Sequence, residues 1–382
     1  MYFSSECIFN IILLMTKLLG VFPYDHVRKR VSYQWFTYSL IIVLVCTVEA
    51  AFVVFDPPRL AKNSLLRNIL FRCQMLAMYA CIVIFNACIL IHRRKISLVF
   101  LILEKLKSET RGQPSFLLVL GYFCWQSLAI TVTAYNDWNG NTPLDGTVSL
   151  ALCYYYGMIS IIVVGTAPFV ALVLLVSTKL EHLVIALKSK VTLGSGRLYS
   201  YVLLYDRMVS LLTSLNEAFS LQLLLISFVS FFNLTINMFF IADYVVNDAS
   251  IHRAKMVPVY MGWITMFSSM VIFPVYSCHR TTKQAKEFNT QLYQLMIDDT
   301  TNDISNNKKL RLHIAMKREV VFTACGFFTL DYTLVHSMIA AATTYLVILI
   351  QFGQHQSTAP ELPANPPDFS NTTALPLSTS TI

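Results

Sequence analysis

A row of polar side chains recurs at intervals of seven near the end of the last apolar stretch of this 382-residue chain. Ser337, Thr344 and Gln351 share one face of a predicted helix. Small hydroxyls that end in an amide suit the wall of a water-filled ion pathway, and Ile348 or Phe352 beside them suits an apolar gate that closes by dewetting. The same spacing also permits close helix packing, so the stripe alone leaves both interpretations open.

A second group of polar and aromatic side chains falls at one end of the third, fourth and fifth apolar stretches. Aromatic walls with a few directed polar groups are typical of pockets for small ligands. Tyrosine and tryptophan also anchor helices at membrane interfaces, and buried amides also bond to neighbouring helices, so each residue keeps that alternative. The candidate ligand-binding residues are Trp125, Tyr135, Asp137, Tyr154, Tyr155, Asn237 and Tyr244.

The elements that must position these residues are membrane-spanning helices. Apolar and aromatic residues make up 55% of the chain and charged residues only 13%, against about 25% charged in soluble domains. Seven apolar stretches reach the roughly 20 residues that a bilayer core demands. We therefore predict an all-α membrane protein with spans at 33–55, 68–91, 115–135, 147–176, 217–245, 256–278 and 320–352.

The basic residues give the predicted orientation. Most of the lysines and arginines fall in the amino-terminal segment and in the second, fourth and sixth loops, and few fall on the opposite side. By the positive-inside rule the amino terminus is cytosolic and the carboxyl terminus extracellular. This placement in short loops also explains the net charge of +8 without nucleic acid as a partner.

Three regions follow from this reading. Residues 1–32 form a cytosolic amino-terminal segment, and residues 33–352 form the membrane domain with cytosolic helical extensions. Phe288, Leu292, Leu295 and Met296 recur at helical spacing beyond the sixth span, and the fourth span continues toward Leu187. These extensions either pack together as an anchor or rest on the bilayer surface. Residues 353–382, rich in proline, serine and threonine, are predicted to be a disordered extracellular tail with a glycosylation acceptor at Asn371.

The sequence gives no indication of an enzyme. The nine cysteines lie singly, and we find no metal, phosphate or nucleophile motif, so no cofactor and no metal is expected. A G-protein-coupled receptor also has seven spans, but it needs its amino terminus outside. A transporter would show internal repeats or matching broken spans, which the chain lacks.

The end of the last stretch carries a family resemblance. Residues 344–352 read Thr-Tyr, five apolar residues, then Gln-Phe, with Thr344, Tyr345, Gln351 and Phe352 at the defining positions. This pattern resembles the signature of insect gustatory receptors, which are related to insect odorant receptors. Residues 324–331 resemble the stretch that opens the same helix in that family.

The resemblance implies a tetrameric, non-selective cation channel opened by a tastant, in the plasma membrane of gustatory receptor neurons. Four copies of the last helix would line one pore, with Ser337, Thr344, Ile348, Gln351 and Phe352 as pore or gate residues. The implied partners are a small-molecule tastant, membrane lipid and other gustatory receptors in a homo- or hetero-tetramer. Leu346 stands where the sweet-taste branch carries Glu, which favours a bitter or other plant-derived ligand over a sugar. A less common sugar, or a non-channel G-protein-coupled chemoreceptor, is the alternative.

Overall fold

The chain is almost entirely helical. The computed structural model describes residues 14, 24–25, 30–31, 33–55, 65–92, 94–96, 99, 115–140, 146–188, 195–247, 250–298, 306–308, 311–312 and 319–357. The longer helices of this part are α1 (Tyr33–Phe55), α2 (Leu65–Ile91), α3 (Ser115–Gly140), α4 (Gly146–Lys188), α5 (Ser195–Asn247), α6 (Ser250–Ile297) and α7 (Tyr332–Ser357). Two short antiparallel hairpins join β1 (Tyr24–Asp25) to β2 (Arg30–Val31) and β3 (Thr323–Ala324) to β4 (Phe328–Thr329).

These helices are long and apolar enough to cross a membrane. Among the described residues, six stretches meet that requirement by length and composition, one in each helix from α2 to α7. A shorter apolar stretch, Gln34–Val48, lies in α1. The exposed sides of α1 carry large apolar residues such as Leu40, Leu44 and Val48, which suits contact with lipid tails. The prediction of an all-α, multi-pass membrane protein is confirmed.

The helices pack around α4 and α6. Helix α4 contacts α1, α2, α3, α5 and α6, and α6 also contacts α3, α5 and α7. Of the apolar window in α4, 83% is buried inside the chain, whereas only 6% of the window in α7 is buried. Helix α7 therefore lies at the edge of the single chain and contacts mainly α5.

Three helices extend well beyond any bilayer. Helix α5 has 53 residues, or about 80 Å of helix, against an apolar bilayer core of about 30 Å. The extensions of α5 and α6 pack together through Tyr205 and Phe288, whose ring centroids lie 4.3 Å apart. The end of α4 joins them, because Leu187 is buried in the same core. The spacing of Phe288 and Leu292 left two alternatives, in which the extensions pack on one another or rest on the bilayer surface. The structure has the first.

Ion pairs and hydrogen bonds hold the extensions in register. Arg280 in α6 donates to the carboxylate of Glu181 in α4 at 3.0 Å, and Lys188 pairs with Glu287 further along the same two helices. Asn289 donates its side-chain amide to the hydroxyl of Tyr205 at 3.0 Å. The long helices are thus tied side by side beyond the apolar core.

The predicted start of the seventh span is wrong. Residues 320–331 are not helical; they contain the β3–β4 hairpin, and α7 begins only at Tyr332. Cys325 and Gly326 in the loop of the hairpin have φ of 51° and 76°, a left-handed conformation that a helix does not contain. The hairpin is anchored from inside, because Phe322 and Ala324 are buried and the side-chain oxygen of Asn216 accepts the backbone N–H of Thr323 at 3.2 Å.

Asp331 fixes the new beginning of α7. Its carboxylate accepts the backbone N–H of Thr333 at 2.9 Å, the bond expected of an N-cap residue, and also the hydroxyls of Thr333 and Thr329. These hydrogen bonds, chiefly those from Thr333, hold the pKa of Asp331 below its ordinary value. At its other end α7 continues to Ser357, five residues beyond the predicted end of the span at 352.

Candidate pore face and interior ligand cluster

One side of α7 packs against the rest of the chain. Leu334 and Ala342 are buried, and Leu346, Leu349 and Ile350 pack against a cluster from the ends of α2, α5 and α6. Tyr345 of the family motif lies on this side and contacts Phe231 of α5, with the ring centroids 6.0 Å apart. The packed side is apolar, as expected of a helix held against its own subunit.

The other side of α7 is free in the single chain, and we call it the free face. Ser337, Thr344, Ile348 and Gln351 are all exposed there. Phe352 lies in the helix, but its side chain is outside the described residues. The structure thus brings four of the five predicted pore or gate residues to one exposed surface.

The hydroxyls on the free face are bonded within the helix. Ser337 donates to the carbonyl oxygen of Thr333 at 2.9 Å, and Thr344 donates to that of Ala340 at 3.1 Å. Because each hydroxyl hydrogen is used by the backbone, the oxygen lone pairs point away from the helix. Such a surface can accept hydrogen bonds from water or contact a hydrated cation.

A buried polar network lies between α2, α4 and α5. The amide nitrogen of Gln74 donates to the hydroxyl of Tyr155 and to the side-chain oxygen of Asn233. Tyr155 donates to the same oxygen of Asn233 at 3.2 Å, and Asn237 donates to the backbone carbonyl of Asn233 at 2.7 Å. All four side chains are buried, so the network places hydrogen-bonding groups inside an apolar bundle, where they need partners.

Aromatic rings of α4 and α6 contact this network, and a ring pair of α5 and α6 lies next to them along α6. Trp263 lies 4.9 Å from Tyr155 and 5.1 Å from Tyr156 between ring centroids. Tyr244 stacks on Tyr260 one turn before Trp263, at 5.5 Å. We call the network residues and these rings the interior cluster: Gln74, Tyr155, Tyr156, Asn233, Asn237, Tyr244, Tyr260 and Trp263. Its combination of aromatic faces and a few amides and hydroxyls suits recognition of a small, mostly apolar molecule.

The predicted ligand-binding residues do not all meet. Tyr155, Asn237 and Tyr244 belong to the interior cluster, whereas Trp125 and Tyr135 are exposed on the outside of α3, with 48% and 67% of their surface accessible. Tyr154 turns the other way and donates its hydroxyl to the backbone carbonyl of Cys46 in α1 at 2.7 Å. The side chain of Asp137, like Asn371 in the tail, lies outside the described residues.

Five members of the interior cluster were not among the predicted ligand-binding residues: Gln74, Tyr156, Asn233, Tyr260 and Trp263. The amide of Gln74 was the available signal, because an amide is costly inside an apolar stretch unless it has a partner. Trp263 and Tyr260 carry no such signal. Only the packing of α6 against α4 and α5 turns them inward.

A close approach of α3 and α6 fixes this part of α6. A Cβ atom added at Gly262 would lie 2.5 Å from Cγ2 of Thr133, closer than real contacts allow. Thr133 is buried and donates its hydroxyl to the carbonyl of Ala129 at 2.7 Å, so its side chain is held in place. Glycine at position 262 thus lets α3 support the backbone that carries Trp263.

The fold and the family model together give the class of protein. A bundle of helices that are long and apolar enough to cross a membrane is the architecture of a multi-pass membrane protein. The family model of the 7tm Chemosensory receptors matches residues 9–356. The chain therefore belongs to this family, and it is a chemosensory receptor rather than an enzyme.

Curated relatives from Drosophila melanogaster agree. The chain is 26% identical over 162 residues to "Gustatory and pheromone receptor 32a", covering 42% of this chain and 34% of the relative. It is also 26% identical over 163 residues to "Gustatory receptor for bitter taste 66a", covering 41% of this chain and 30% of the relative. The matched segment thus spans about a third of the length of these relatives. The resemblance to insect gustatory receptors is confirmed.

Solved structures share the fold. The insect olfactory receptor OR5 from Machilis hrabei matches with a TM-score of 0.61 at 16% sequence identity, covering 90% of this chain and 97% of that chain. The same receptor in complex with eugenol matches with a TM-score of 0.58 at 17% identity, with the same coverage.

Proposed function

We propose that the protein is a gustatory receptor that acts as a tastant-gated, non-selective cation channel. Four chains assemble around one axis, as homo- or hetero-tetramer, and α7 of each chain lines the pore. The amino terminus lies in the cytosol, and the interior cluster opens toward the outside. The proposal joins the family resemblance to the geometry of α7.

The observation that carries the proposal is the free face of α7. Only 6% of the apolar window of this helix is buried in one chain, the least of the candidate spans. A helix that faced lipid on this side would be apolar there, yet Ser337, Thr344 and Gln351 are exposed on it. An amide is unfavourable against lipid tails, so this face is satisfied by water or by further protein. A water-filled axis between copies of α7 supplies both the water and the neighbouring protein.

The gate is apolar. Ile348 is 40% exposed on the same face, one turn from Gln351, and Phe352 follows Gln351 in the chain. Rings of such side chains around a narrow axis exclude water and ions until the helices separate. Thr344 on one side of Ile348 and Gln351 on the other provide polar rings next to the constriction.

The ligand binds at the interior cluster. The rings of Tyr155, Tyr156 and Trp263 contact one another, so a ligand has to separate them, and α4 and α6 move with them. Helix α6 contacts α5, and α5 contacts α7, which gives a contiguous route from the cluster to the pore. Ligand binding favours the open state because the ligand contacts only the separated arrangement of the rings.

The ligand class is a bitter or other plant-derived compound. Leu346 replaces the Glu of the sweet-taste branch, and a relative named for bitter taste matches the chain. The amides and the Tyr155 hydroxyl of the interior cluster already bond to one another or to the backbone, whereas a polyhydroxylated sugar requires many polar partners of its own. A less common sugar is the alternative.

The test applies a tastant panel to a cell line that expresses the chain alone. Calcium imaging identifies the active tastants, and whole-cell recording measures the current that they evoke. The proposal expects tastant-evoked cation current that persists when G proteins are blocked with GDP-β-S in the pipette. Current that disappears under this block would instead identify a G-protein-coupled chemoreceptor. A response to sugars but to no bitter compound would favour the alternative ligand, a less common sugar.

A further inference from the structure

A cavity of about 650 Å³ with both polar and apolar side chains in its walls lies at the foot of α7. Its α6 wall begins at His279, about 24 Å along the helix from Trp263 of the interior cluster. One wall is the α6 helix just beyond its apolar part, with His279, Lys283 and Lys286. The other wall is the segment that leads into α7, with Glu319, Asp331 and Tyr332. The ring of His279 lies 4.9 Å from that of Tyr332, so the two walls touch at one end of the cavity.

The two lysines in the cavity have no ion-pair partner in the part of the chain that the structure describes. His279, Lys283 and Lys286 follow at steps of four and three, which puts them on one face of α6. On the other sides of the same helix Arg280 and Glu287 form ion pairs with α4. Within the described residues, no carboxylate lies within ion-pair distance of Lys283 or Lys286, and both are exposed.

The carboxylates in the cavity do not take that role. Asp331 is committed to the N-cap of α7, because it accepts the N–H and hydroxyl of Thr333 and the hydroxyl of Thr329. Glu319 is the remaining acidic group. Because Asp331 already caps α7, Lys283 and Lys286 are the groups of the cavity that can hold an anion.

The cavity lies from the outer edge of the lipid headgroup layer outward, where a phosphorylated headgroup that projects from the bilayer surface reaches it. Counting from Cys278, the predicted end of the sixth span, Lys283 lies about 8 Å and Lys286 about 12 Å further along the helix axis. The headgroup layer on one side of a bilayer is about 5–8 Å thick. In the amino-terminus-inside orientation this is the cytoplasmic leaflet, where anionic lipids are concentrated.

We propose that this cavity binds the phosphorylated headgroup of an inositol lipid of the cytoplasmic leaflet. Lys283 and Lys286 contact its phosphates, and the headgroup joins α6 to the foot of α7. The proposal uses the orientation given above but does not depend on the ligand, selectivity or gate of the channel. It holds whether or not the chain forms a channel, provided that the amino terminus is cytosolic.

The experiment measures lipid binding by the purified full-length chain in detergent. Fluorescent dioctanoyl phosphatidylinositol bisphosphate is titrated, and its polarisation gives the dissociation constant. Lys283→Gln combined with Lys286→Gln should weaken binding roughly thirtyfold, since each basic contact contributes about fivefold. The matched control combines Lys308→Gln with Arg311→Gln, which removes the same charge from exposed positions outside the cavity and should change the constant less than about twofold. Monodisperse elution of both doubles confirms that they fold.

Further measurements show whether the bound ligand is an anion and whether it is a lipid or a soluble phosphate. Glu319→Gln should tighten binding, because it removes a negative charge that faces the phosphates. Phosphatidylserine should bind more weakly than the inositol lipid. Equal loss in both double variants, or weaker binding after Glu319→Gln, would overturn the proposal in favour of diffuse charge attraction or a cation site. Inositol trisphosphate binding as tightly as the lipid would overturn the lipid source in favour of a soluble phosphate.

Discussion

The ring of Tyr205 in α5 lies almost parallel to that of Phe288 in α6, with centroids 4.3 Å apart and an angle of 8° between the planes. Both side chains are fully buried, although they lie in the extensions and outside the predicted spans. The core of the bundle therefore continues from the spans into the extensions. This core holds the foot of α6 next to the hairpin from which α7 begins.

Tyr205→Ala should destabilise the protein by about 3–5 kcal/mol, since it removes a large buried ring and leaves a cavity. Tyr205→Phe keeps the stacked ring and loses only the hydrogen bond from Asn289, so about 1 kcal/mol is expected. Melting temperatures measured in detergent from intrinsic fluorescence should fall in the order wild type, Tyr205→Phe, Tyr205→Ala. Equal melting temperatures for wild type and Tyr205→Ala would show that the extensions do not pack in this way.

Asp331→Ala should lower stability by about 1 kcal/mol through loss of the α7 cap, while Asp331→Asn should retain most of it. The pKa of Asp331 is lowered in the folded state, so its contribution is complete above the unfolded pKa of about 4 and is lost as the pH falls through the lower folded value. The difference in melting temperature between wild type and Asp331→Ala should be constant from about pH 8 to about pH 5 and shrink below about pH 4. A difference that changes near neutral pH would assign the effect to another group.

The sequence predicted the spans because hydropathy reports burial in lipid directly. It missed the helix over residues 195–216, whose stability comes from contacts such as Tyr205 with Phe288 rather than from an apolar run. It also extended the seventh span through 320–331, since Val320, Val321 and Phe322 are apolar in a hairpin as they would be in a helix. Only the dihedral angles of Cys325 and Gly326 separate the two.

The two candidate sites also differ in how much of each could be predicted from the sequence. The stripe of Ser337, Thr344 and Gln351 was readable because all three residues lie on one helix with a fixed period. The interior cluster combines α2, α4, α5 and α6, and no local period indicates that Gln74 and Trp263 meet at Tyr155. Contacts of this kind depend on tertiary packing, so sequence reasoning found only part of the cluster.

Trp263→Ala and Tyr155→Ala should raise the half-activating tastant concentration roughly thirtyfold, which corresponds to about 2 kcal/mol at an anchoring residue. Trp125→Ala is the control, since its side chain is on the outside of α3. Surface biotinylation checks that all three variants reach the membrane. A shift with Trp125→Ala but not with Trp263→Ala would move the ligand site out of the interior cluster.

An epitope tag at Met1 should be reached by antibody only after permeabilisation, and a tag at Ile382 should be reached in intact cells. The reason is the excess of basic residues on the amino-terminal side. Removal of a glycosidase-sensitive mass by Asn371→Gln would support the same orientation. Staining of the Met1 tag in intact cells would reverse it and would favour a G-protein-coupled receptor.

Phe352→Ala should increase current in the absence of tastant, because a smaller ring of side chains dewets less readily. Leu349→Ala is the comparison, since Leu349 packs against the subunit's own helices rather than on the free face. It should leave basal current and selectivity close to those of wild type. Basal current that rises with Leu349→Ala and not with Phe352→Ala would place the constriction elsewhere.

The most direct measurement of the pore is the relative permeability to calcium and sodium in Gln351→Glu and Gln351→Lys. In a tetramer Gln351→Glu puts four carboxylates around a narrow axis, which should raise calcium permeability, and Gln351→Lys should lower it together with the cation conductance. Crowding raises the carboxylate pKa, so the effect of Gln351→Glu should fade as the external pH is lowered. If both variants reach the surface and keep wild-type permeability at every pH, the free face of α7 does not line the pore.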